Sequence, residues 1–218
     1  PVKSDYKNYW LTIRDKRRRL HNDYLKAIPF SDFTVFNQIL DNLPIDSQLQ
    51  VGNSSAIRYT QLFQMRNDII VFCNRGTSGI DGSTSTAIGA SVVSKKRVTF
   101  ITGDLSFFYD SNALWNNYIP NDFNIIVLNN NGGGIFRILS GHKNTDNFDT
   151  YFETKHNLNA SDLSKMFGFE YNSVKNDAEL STALDSFYDV SDNPKLLEIF
   201  TPSTENDKIL LDYFKFIS

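Results

Sequence analysis

Five short apolar runs rich in β-branched residues, "QLQVG", "DIIVFC", "RVTFIT", "FNIIVL" and "KLLEIF", recur along the chain with helix-like segments between most of them. Strands that are apolar on both faces need cover on both faces, and parallel neighbours need a long crossover, so this pattern predicts a parallel sheet between helix layers. The expected fold is α/β: a doubly wound, mainly parallel sheet with helices on both faces. Two helices are expected ahead of the first strand. One covers about residues 4–27, with Trp10 and Ile13 amid many charges; the other is "FSDFTVFNQILDNL", with Ser31 as its N-cap candidate. The 218 residues, 40% hydrophobic, can bury a substantial core, and divide most simply into a helical lead-in or linker over 1–30 and one domain over 31–218.

In such a sheet the ligand sits outside the carboxyl ends of the strands. Four successive strand ends carry polar loops there: "GNSSAIR", "NRGTSGIDG", "GDLS" and "NNNGGG". Asp104 offers a hard anionic oxygen, and an asparagine amide and a backbone carbonyl add neutral ones. Mg²⁺ prefers that donor set and completes its octahedron with phosphate oxygens and water. Glycines 132–134 let the backbone approach phosphate closely, and the helix N-termini that follow supply free N–H groups. Taken singly, each loop is also ordinary turn and capping chemistry; their joint position at adjacent strand ends favours a metal holding a diphosphate.

Other features exclude or weaken competing classes. A net charge of −3 gives no overall pull toward nucleic acid or anionic membrane, and no apolar run approaches the roughly 20 residues of a membrane span. No signal-peptide pattern appears at the N-terminus. The single cysteine, Cys73, rules out an internal disulfide, fits a reducing cytosol, and reads as a buried strand thiol. His21, His142 and His156 lack metal-ligand spacing, so no zinc site is assigned; substrate contact by a loop histidine is the weaker reading. "RDKRRR", residues 14–19, reads as a solvated helix face, with an interdomain contact as the lesser alternative. The polar stretch from about Ser140 to Asn157 is long for a connection and is a candidate lid or mobile segment. The chain opens with Pro1 and has no methionine before Met65, the pattern of a processed chain or a piece of a longer one.

Gly-Asp, about two dozen residues, then Asn-Asn resembles the thiamin diphosphate motif that begins Gly-Asp-Gly and ends Asn-Asn, with Leu105 at the third position in place of glycine. "NRGTSGIDGSTSTAIGA", "GDLSFFYD" and "NNNGGGIF" together resemble one branch, the MenD family of 2-succinyl-5-enolpyruvyl-6-hydroxy-3-cyclohexene-1-carboxylate synthases of menaquinone biosynthesis, in which leucine after Gly-Asp is usual. The resemblance is strong from Gly52 to Leu139 and thinner toward both ends. It implies the C-terminal, diphosphate-binding domain of a longer, cytoplasmic enzyme that uses thiamin diphosphate and Mg²⁺ (or Mn²⁺).

The resemblance also implies roles. Gly103 and Asp104 open the cofactor motif; Asp104 and Asn130 bind the metal through side chains and Gly132 through its carbonyl. The triple asparagine leaves two registers, so Asn131 remains an alternative to Asn130. Gly79 offers a carbonyl to the aminopyrimidine, Ile80 holds the cofactor bent, and Ile135 and Phe136 form part of the apolar wall. Ser54, Arg58 and Arg75 match substrate-binding positions, and guanidinium forks suit the carboxylates of 2-oxoglutarate and isochorismate. The implied reaction decarboxylates 2-oxoglutarate and adds the remaining carbon unit to isochorismate. Its activating glutamate belongs to a pyrimidine-binding domain of a second subunit in a homodimer or homotetramer. Nothing in these 218 residues resembles that domain, so no catalytic residue is expected here and the chain alone is expected to be inactive. Two other classes share part of the pattern: another thiamin diphosphate-dependent 2-oxo acid enzyme, such as an acetolactate synthase relative, and a non-catalytic nucleotide-binding domain.

Overall fold

A computed structural model describes residues 4–139, 141 and 145–218. Helices α1 (Tyr6–Ala27) and α2 (Asp32–Asp41) come first. Then follow β1 (Gln48–Val51), α3 (Ser55–Thr60), β2 (Ile70–Cys73), α4 (Ser83–Val93), β3 (Val98–Gly103), α5 (Asp104–Tyr109) and β4 (Asn124–Asn129). The chain continues through α6 (Ile135–Ile138), α7 (Ser161–Met166), β5 (Glu170–Val174), α8 (Asp177–Phe187), β6 (Lys195–Phe200) and α9 (Asn206–Phe216). The six strands form one sheet in the order β2-β1-β3-β4-β6-β5, and every pairing is parallel.

Alternation along each strand sends side chains to two cores. On one face Leu49, Val51, Ile101, Ile126, Leu128, Leu197 and Ile199 pack under α2, α3, α8 and α9. On the other, Val98, Phe100, Ile125, Val127 and Leu196 meet Ala87 and Ile88 of α4, Phe107 of α5 and Ala160 ahead of α7. The five expected strands are all present. The sixth, β5, went unread because it lies at a sheet edge with a mostly exposed sequence, EYNSV, and so lacks the apolar run that marked the others.

Strand order decides two further points. The sheet starts at β1, runs out to β2 at one edge, and returns across β1 to β3, so the loops after β1 and β3 diverge to opposite faces. A crevice opens between them at the C-terminal edge, as topological switch points require. Because β2 is an edge strand, Ile70, Val71 and Phe72 are exposed rather than covered on both faces. Cys73 shares that position, so it is half-buried and not the buried strand thiol its apolar neighbours suggested.

Helix α1 follows the expected span, and its C-terminal half docks on the body. The Tyr24 hydroxyl donates to the Ile209 carbonyl at 2.6 Å, and His21 Nδ1 lies 2.9 Å from the Tyr213 hydroxyl. At the start of α2, Thr34 Oγ1 accepts from the Ser31 N–H at 3.0 Å, whereas the Ser31 hydroxyl has no partner among the described residues. Ser31 therefore sits at the expected cap, but the capping side chain is Thr34.

Candidate functional site

The crevice contains a cavity of about 560 Å³, within the range usual for small-ligand sites. It is built from all four polar strand ends. Asn53, Ser54 and Arg58 follow β1; Arg75, Ser78 and Ile80 follow β2; Gly103 and Asp104 close β3 and open α5; Asn130, Gly132, Ile135 and Phe136 follow β4. Thus Ser54, Arg58, Arg75, Ile80, Gly103, Asp104, Asn130, Gly132, Ile135 and Phe136, separated by up to 82 positions in sequence, line one cavity.

Asp104 is a buried acid at the end of β3. Its Oδ1 accepts from the Leu105 N–H at 2.7 Å and its Oδ2 from the Gly132 N–H at 2.9 Å, a direct bridge between the ends of β3 and β4. Gly132 has φ +149°, and a Cβ there would lie 2.6 Å from the Glu153 carbonyl oxygen, so glycine is required on both counts. The Gly133 N–H donates to that same carbonyl at 2.6 Å.

The three asparagines point in three directions. Asn129 is fully buried and donates through Nδ2 to Glu198 Oε1 at 2.7 Å, while its Oδ1 accepts from the Asn131 N–H at 3.1 Å. Asn130 donates through Nδ2 to Asp32 Oδ2 at 3.2 Å and lines the cavity. Asn131, in the left-handed region at φ +64°, turns its amide to the His156 carbonyl at 3.1 Å and is not among the lining residues. Of the two registers left open by the sequence, this geometry favours Asn130.

The donor set suits a hard divalent cation. Among the described residues no group of three or more His, Cys, Asp and Glu could hold a metal by itself. A cation at Asp104 would therefore complete its shell with the Asn130 amide oxygen, the Gly132 carbonyl and oxygens of a ligand, the mixed shell Mg²⁺ accepts. The residues thus fit a diphosphate-bound metal.

Around this centre the loops are tied together by buried polar groups. Asn53 donates through Nδ2 to the Asn74 and Gly79 carbonyls at 2.7 and 2.6 Å, and its Oδ1 accepts from Arg75 at 3.3 Å. Gly79 is not among the lining residues, and a Cβ there would fall 2.3 Å from Asp81 Oδ1. Its carbonyl keeps one lone pair beyond the Asn53 bond. Arg58 donates to the Ser54 carbonyl at 2.8 Å, and neither Arg58 nor Arg75 pairs with a carboxylate among the described residues. Ser54 has φ +69°, the kind of stored strain that clusters at ligand sites.

The segment after α6 closes over the glycines. Phe148–Phe152 forms one wide helical turn, after which Glu153 is buried and grips Arg137 of α6 through two hydrogen bonds of 2.5 and 2.6 Å. That ion pair raises the Arg137 pKa, chiefly through the Glu153 hydrogen bonds. The described part of the candidate lid is therefore latched to the site; His142 lies outside the described residues. His156 packs edge-on against Phe108 at 5.6 Å and places Nε2 3.2 Å from Asp104 Oδ2. That contact is off the line a hydrogen bond needs, and Nε2 has no hydrogen-bond partner among the described residues. His156 Nδ1 accepts from the Leu158 N–H at 3.1 Å, which assigns the ring proton of a neutral imidazole to Nε2.

Asp32, Asn53 and Glu153 were not legible as site residues. The clearest case is Asp32, a first-turn residue of α2 that is buried against the cavity. Burial pushes its pKa up to about 6, opposed by hydrogen bonds from Thr201, Asn130 and Asn206 and reinforced by the charge of Asp104. The one signal available is its place in the first turn of α2, next to the N-cap candidate Ser31.

A parallel sheet with a metal- and diphosphate-compatible cleft at its switch point defines a class. Residues 50–199 match the family described as thiamine pyrophosphate enzyme, C-terminal TPP binding domain, and the chain belongs to that family. More particularly, it is 56% identical over 205 residues to the 2-succinyl-5-enolpyruvyl-6-hydroxy-3-cyclohexene-1-carboxylate synthase of Christiangramia forsetii, covering 94% of this chain and 36% of that protein. It is 56% identical over 217 residues to the synthase of the same name from Flavobacterium psychrophilum, covering 98% of this chain and 39% of that one. A third, from Porphyromonas gingivalis, is 39% identical over 219 residues, covering 100% of this chain and 38% of the relative. The chain thus spans little more than a third of the length of the curated relatives it matches.

Proposed function

We propose that this chain is the diphosphate- and metal-binding part of a thiamin diphosphate-dependent synthase that joins a carbon unit from 2-oxoglutarate to isochorismate; the family it matches binds thiamine pyrophosphate, and the names of its relatives give the product, 2-succinyl-5-enolpyruvyl-6-hydroxy-3-cyclohexene-1-carboxylate. The observation that carries the reading is one cavity in which Asp104, Asn130 and Gly132 adjoin two arginines free of carboxylate partners among the described residues. Asp104 Oδ, Asn130 Oδ1 and the Gly132 carbonyl are assigned to Mg²⁺ or Mn²⁺. Glycines 132–134 are assigned to the diphosphate, since their small size leaves the backbone approachable. When bound, the cofactor supplies the electron sink for decarboxylation and carbon–carbon bond formation.

The chain's own residues orient and enclose. Ile80, facing the cavity from the β2 loop, is assigned as the buttress that keeps the cofactor bent, and Gly79 as a carbonyl acceptor for the aminopyrimidine. Ile135 and Phe136, which line the cavity, are assigned to the apolar wall that would exclude water beside the reacting centre, and Gly103 to the opening of the cofactor-binding turn. Arg58, Arg75 and Ser54 are assigned to substrate carboxylates. Charge-assisted bidentate pairing would hold a 2-oxo diacid more firmly than a monoacid, which favours this reading over an acetolactate synthase-like one.

The activating glutamate is assigned to a pyrimidine-binding domain of a second subunit, within a homodimer or homotetramer. Residues 1–30 are the lead-in from a preceding domain and 31–218 the cofactor-binding domain. The working compartment is the cytoplasm; no helix among the described residues is long and apolar enough to cross a membrane. The test is to supply the protein expressed from its complete reading frame with thiamin diphosphate, Mg²⁺ and isochorismate, then compare 2-oxoglutarate with pyruvate. Carbon dioxide release and coupled product from 2-oxoglutarate are expected; preferential consumption of pyruvate, or 2-oxoglutarate turnover with no coupled product, would refute the assignment.

A further inference from the structure

We propose that Asp32 is a positioning residue for the metal site: its buried carboxylate fixes the Asn130 amide so that the oxygen, rather than the nitrogen, is offered to the cation. The inference rests on the reading of Asn130 as a metal ligand. An asparagine side chain has two ends of nearly equal size and opposite use. The oxygen ligates a hard cation, whereas the NH₂ presents hydrogens to it. Something must choose between them, and an ionised carboxylate, which only accepts hydrogen bonds, can choose only one way.

The geometry supplies that choice. Asp32 Oδ2 takes Asn130 Nδ2 at 3.2 Å, and among the described residues no protein donor reaches Asn130 Oδ1, which is left for a ligand. The carboxylate is itself held from behind. Its Oδ1 accepts from the Thr201 hydroxyl at 2.6 Å, and the Asp32 N–H donates to Asn206 Oδ1 at 2.9 Å. Asn206 in turn donates through Nδ2 to Thr201 Oγ1 at 3.3 Å and to the Pro202 carbonyl at 3.0 Å. Asp32 is only 3% exposed, so water does not compete for these bonds. The start of α2 and the end of β6 are thereby fastened to the end of β4, bringing together residues 98 and 169 positions apart.

The neighbouring asparagine shows the same device at work. Fully buried Glu198 holds Asn129 Nδ2 at 2.7 Å, and the oxygen so released accepts the Asn131 N–H at 3.1 Å. Two buried carboxylates thus orient two consecutive amides, one toward backbone and one toward the cavity. Outer-shell partners of metal ligands characteristically affect metal affinity by about 10- to 100-fold, which sets the scale of the expected effect.

The test uses the protein expressed from its complete reading frame, with saturating thiamin diphosphate and Mn²⁺ as the probe, read by the paramagnetic resonance of free and bound ion. Asp32→Leu is expected to weaken Mn²⁺ binding by about tenfold or more. Asp32→Asn is expected to weaken binding as well, because an amide can turn either end to Asn130, and keeping the bond from the Thr201 hydroxyl would set its NH₂ toward Asn130. In an Asn130→Ala background, Asp32→Leu should add nothing further. Native affinity in Asp32→Leu or in Asp32→Asn would overturn the proposal, and an undiminished loss in the Asn130→Ala background would overturn it in favour of a charge effect. If Asp32→Leu does not fold, the isosteric Asp32→Asn, alone and combined with Asn130→Ala, carries the test. The double variant should bind no more weakly than Asn130→Ala alone; an added loss there would overturn the proposal. Asp104→Ala separates the levels: undiminished Mn²⁺ binding there would sink the metal site itself, whereas loss there with silent Asp32 variants would sink only the positioning role.

Discussion

Replacing Arg137 with methionine would strand the buried Glu153 carboxylate and open the segment that covers the glycine loop. The Glu153 side chain is 3% exposed and that of Arg137 19%, and the pair is bidentate. Breaking such a buried pair by removing one partner costs about 3–5 kcal/mol. Two features adjust that figure here. Lys155 Nζ lies 3.6 Å from Glu153 Oε2 and keeps part of the compensation, while loss of the Arg137 guanidinium also removes its stacking on Phe148, 5.9 Å from the ring centre. A net local destabilisation of about 2–4 kcal/mol follows, equivalent to roughly 30- to 1,000-fold in an opening equilibrium. The amides of Gly133 and Gly134 report it, since the first donates to the Glu153 carbonyl and the second to the Gly132 carbonyl. Their hydrogen exchange, followed by mass spectrometry of the segment, should accelerate on that scale in Arg137→Met. It should largely recover in Arg137→Met/Glu153→Leu, where neither charge remains buried alone. Exchange within about threefold of native in the single variant would show that the ion pair does not hold the segment closed, and the latch would have to be abandoned.

Two further perturbations separate substrate binding from the rest of the fold. Arg75→Ala removes a guanidinium that, among the described residues, is hydrogen-bonded only by Asn53 at the cavity wall; it should impair substrate use while leaving cofactor affinity largely intact, and unchanged substrate kinetics would count against its assignment. His21, packed against Phe33, Phe63 and Tyr213, has its pKa lowered by burial. A base whose folded pKa lies below its unfolded value keeps its full contribution above the unfolded pKa of about 6.5 and loses stability as pH falls through that value toward the folded one. Chemical denaturation at a series of pH values should therefore show a decline below about pH 6.5 that flattens in His21→Phe; the same slope in both proteins would assign the decline to other groups.

Much of this molecule is legible in its sequence because hydrophobic periodicity marks buried strands wherever they fall. Strands β1–β4 and β6 announce themselves as apolar β-branched runs, and the polar loops after the first four lie at the C-terminal ends where a doubly wound sheet places ligands. What sequence leaves dark depends on strand order and on contacts between distant segments. Cys73 and Ile70–Phe72 are exposed or half-exposed only because β2 comes last on its side of the sheet, a fact no local pattern encodes. Asp32 reads as a helix-start acid until β6 brings Thr201 beside it. The choice between Asn130 and Asn131 rests on a left-handed φ at Asn131 and on buried carboxylates 98 and 69 positions from the asparagines they hold. The polar segment after α6 looked free for the same reason: its anchor is a pair of charges 16 residues apart that meet only when α6 turns Arg137 toward the loop.

The central claim is that Asp104 and its neighbours form a metal clamp for a diphosphate. Its most direct test is calorimetric titration of thiamin diphosphate into the protein expressed from its complete reading frame, with Mg²⁺ and after its removal, comparing native protein with Asp104→Ala. Native protein should bind at least about tenfold more tightly with the metal, and Asp104→Ala should lose that difference, because the one anionic ligand on the protein side is gone. Equal, metal-dependent binding by both proteins would contradict the clamp.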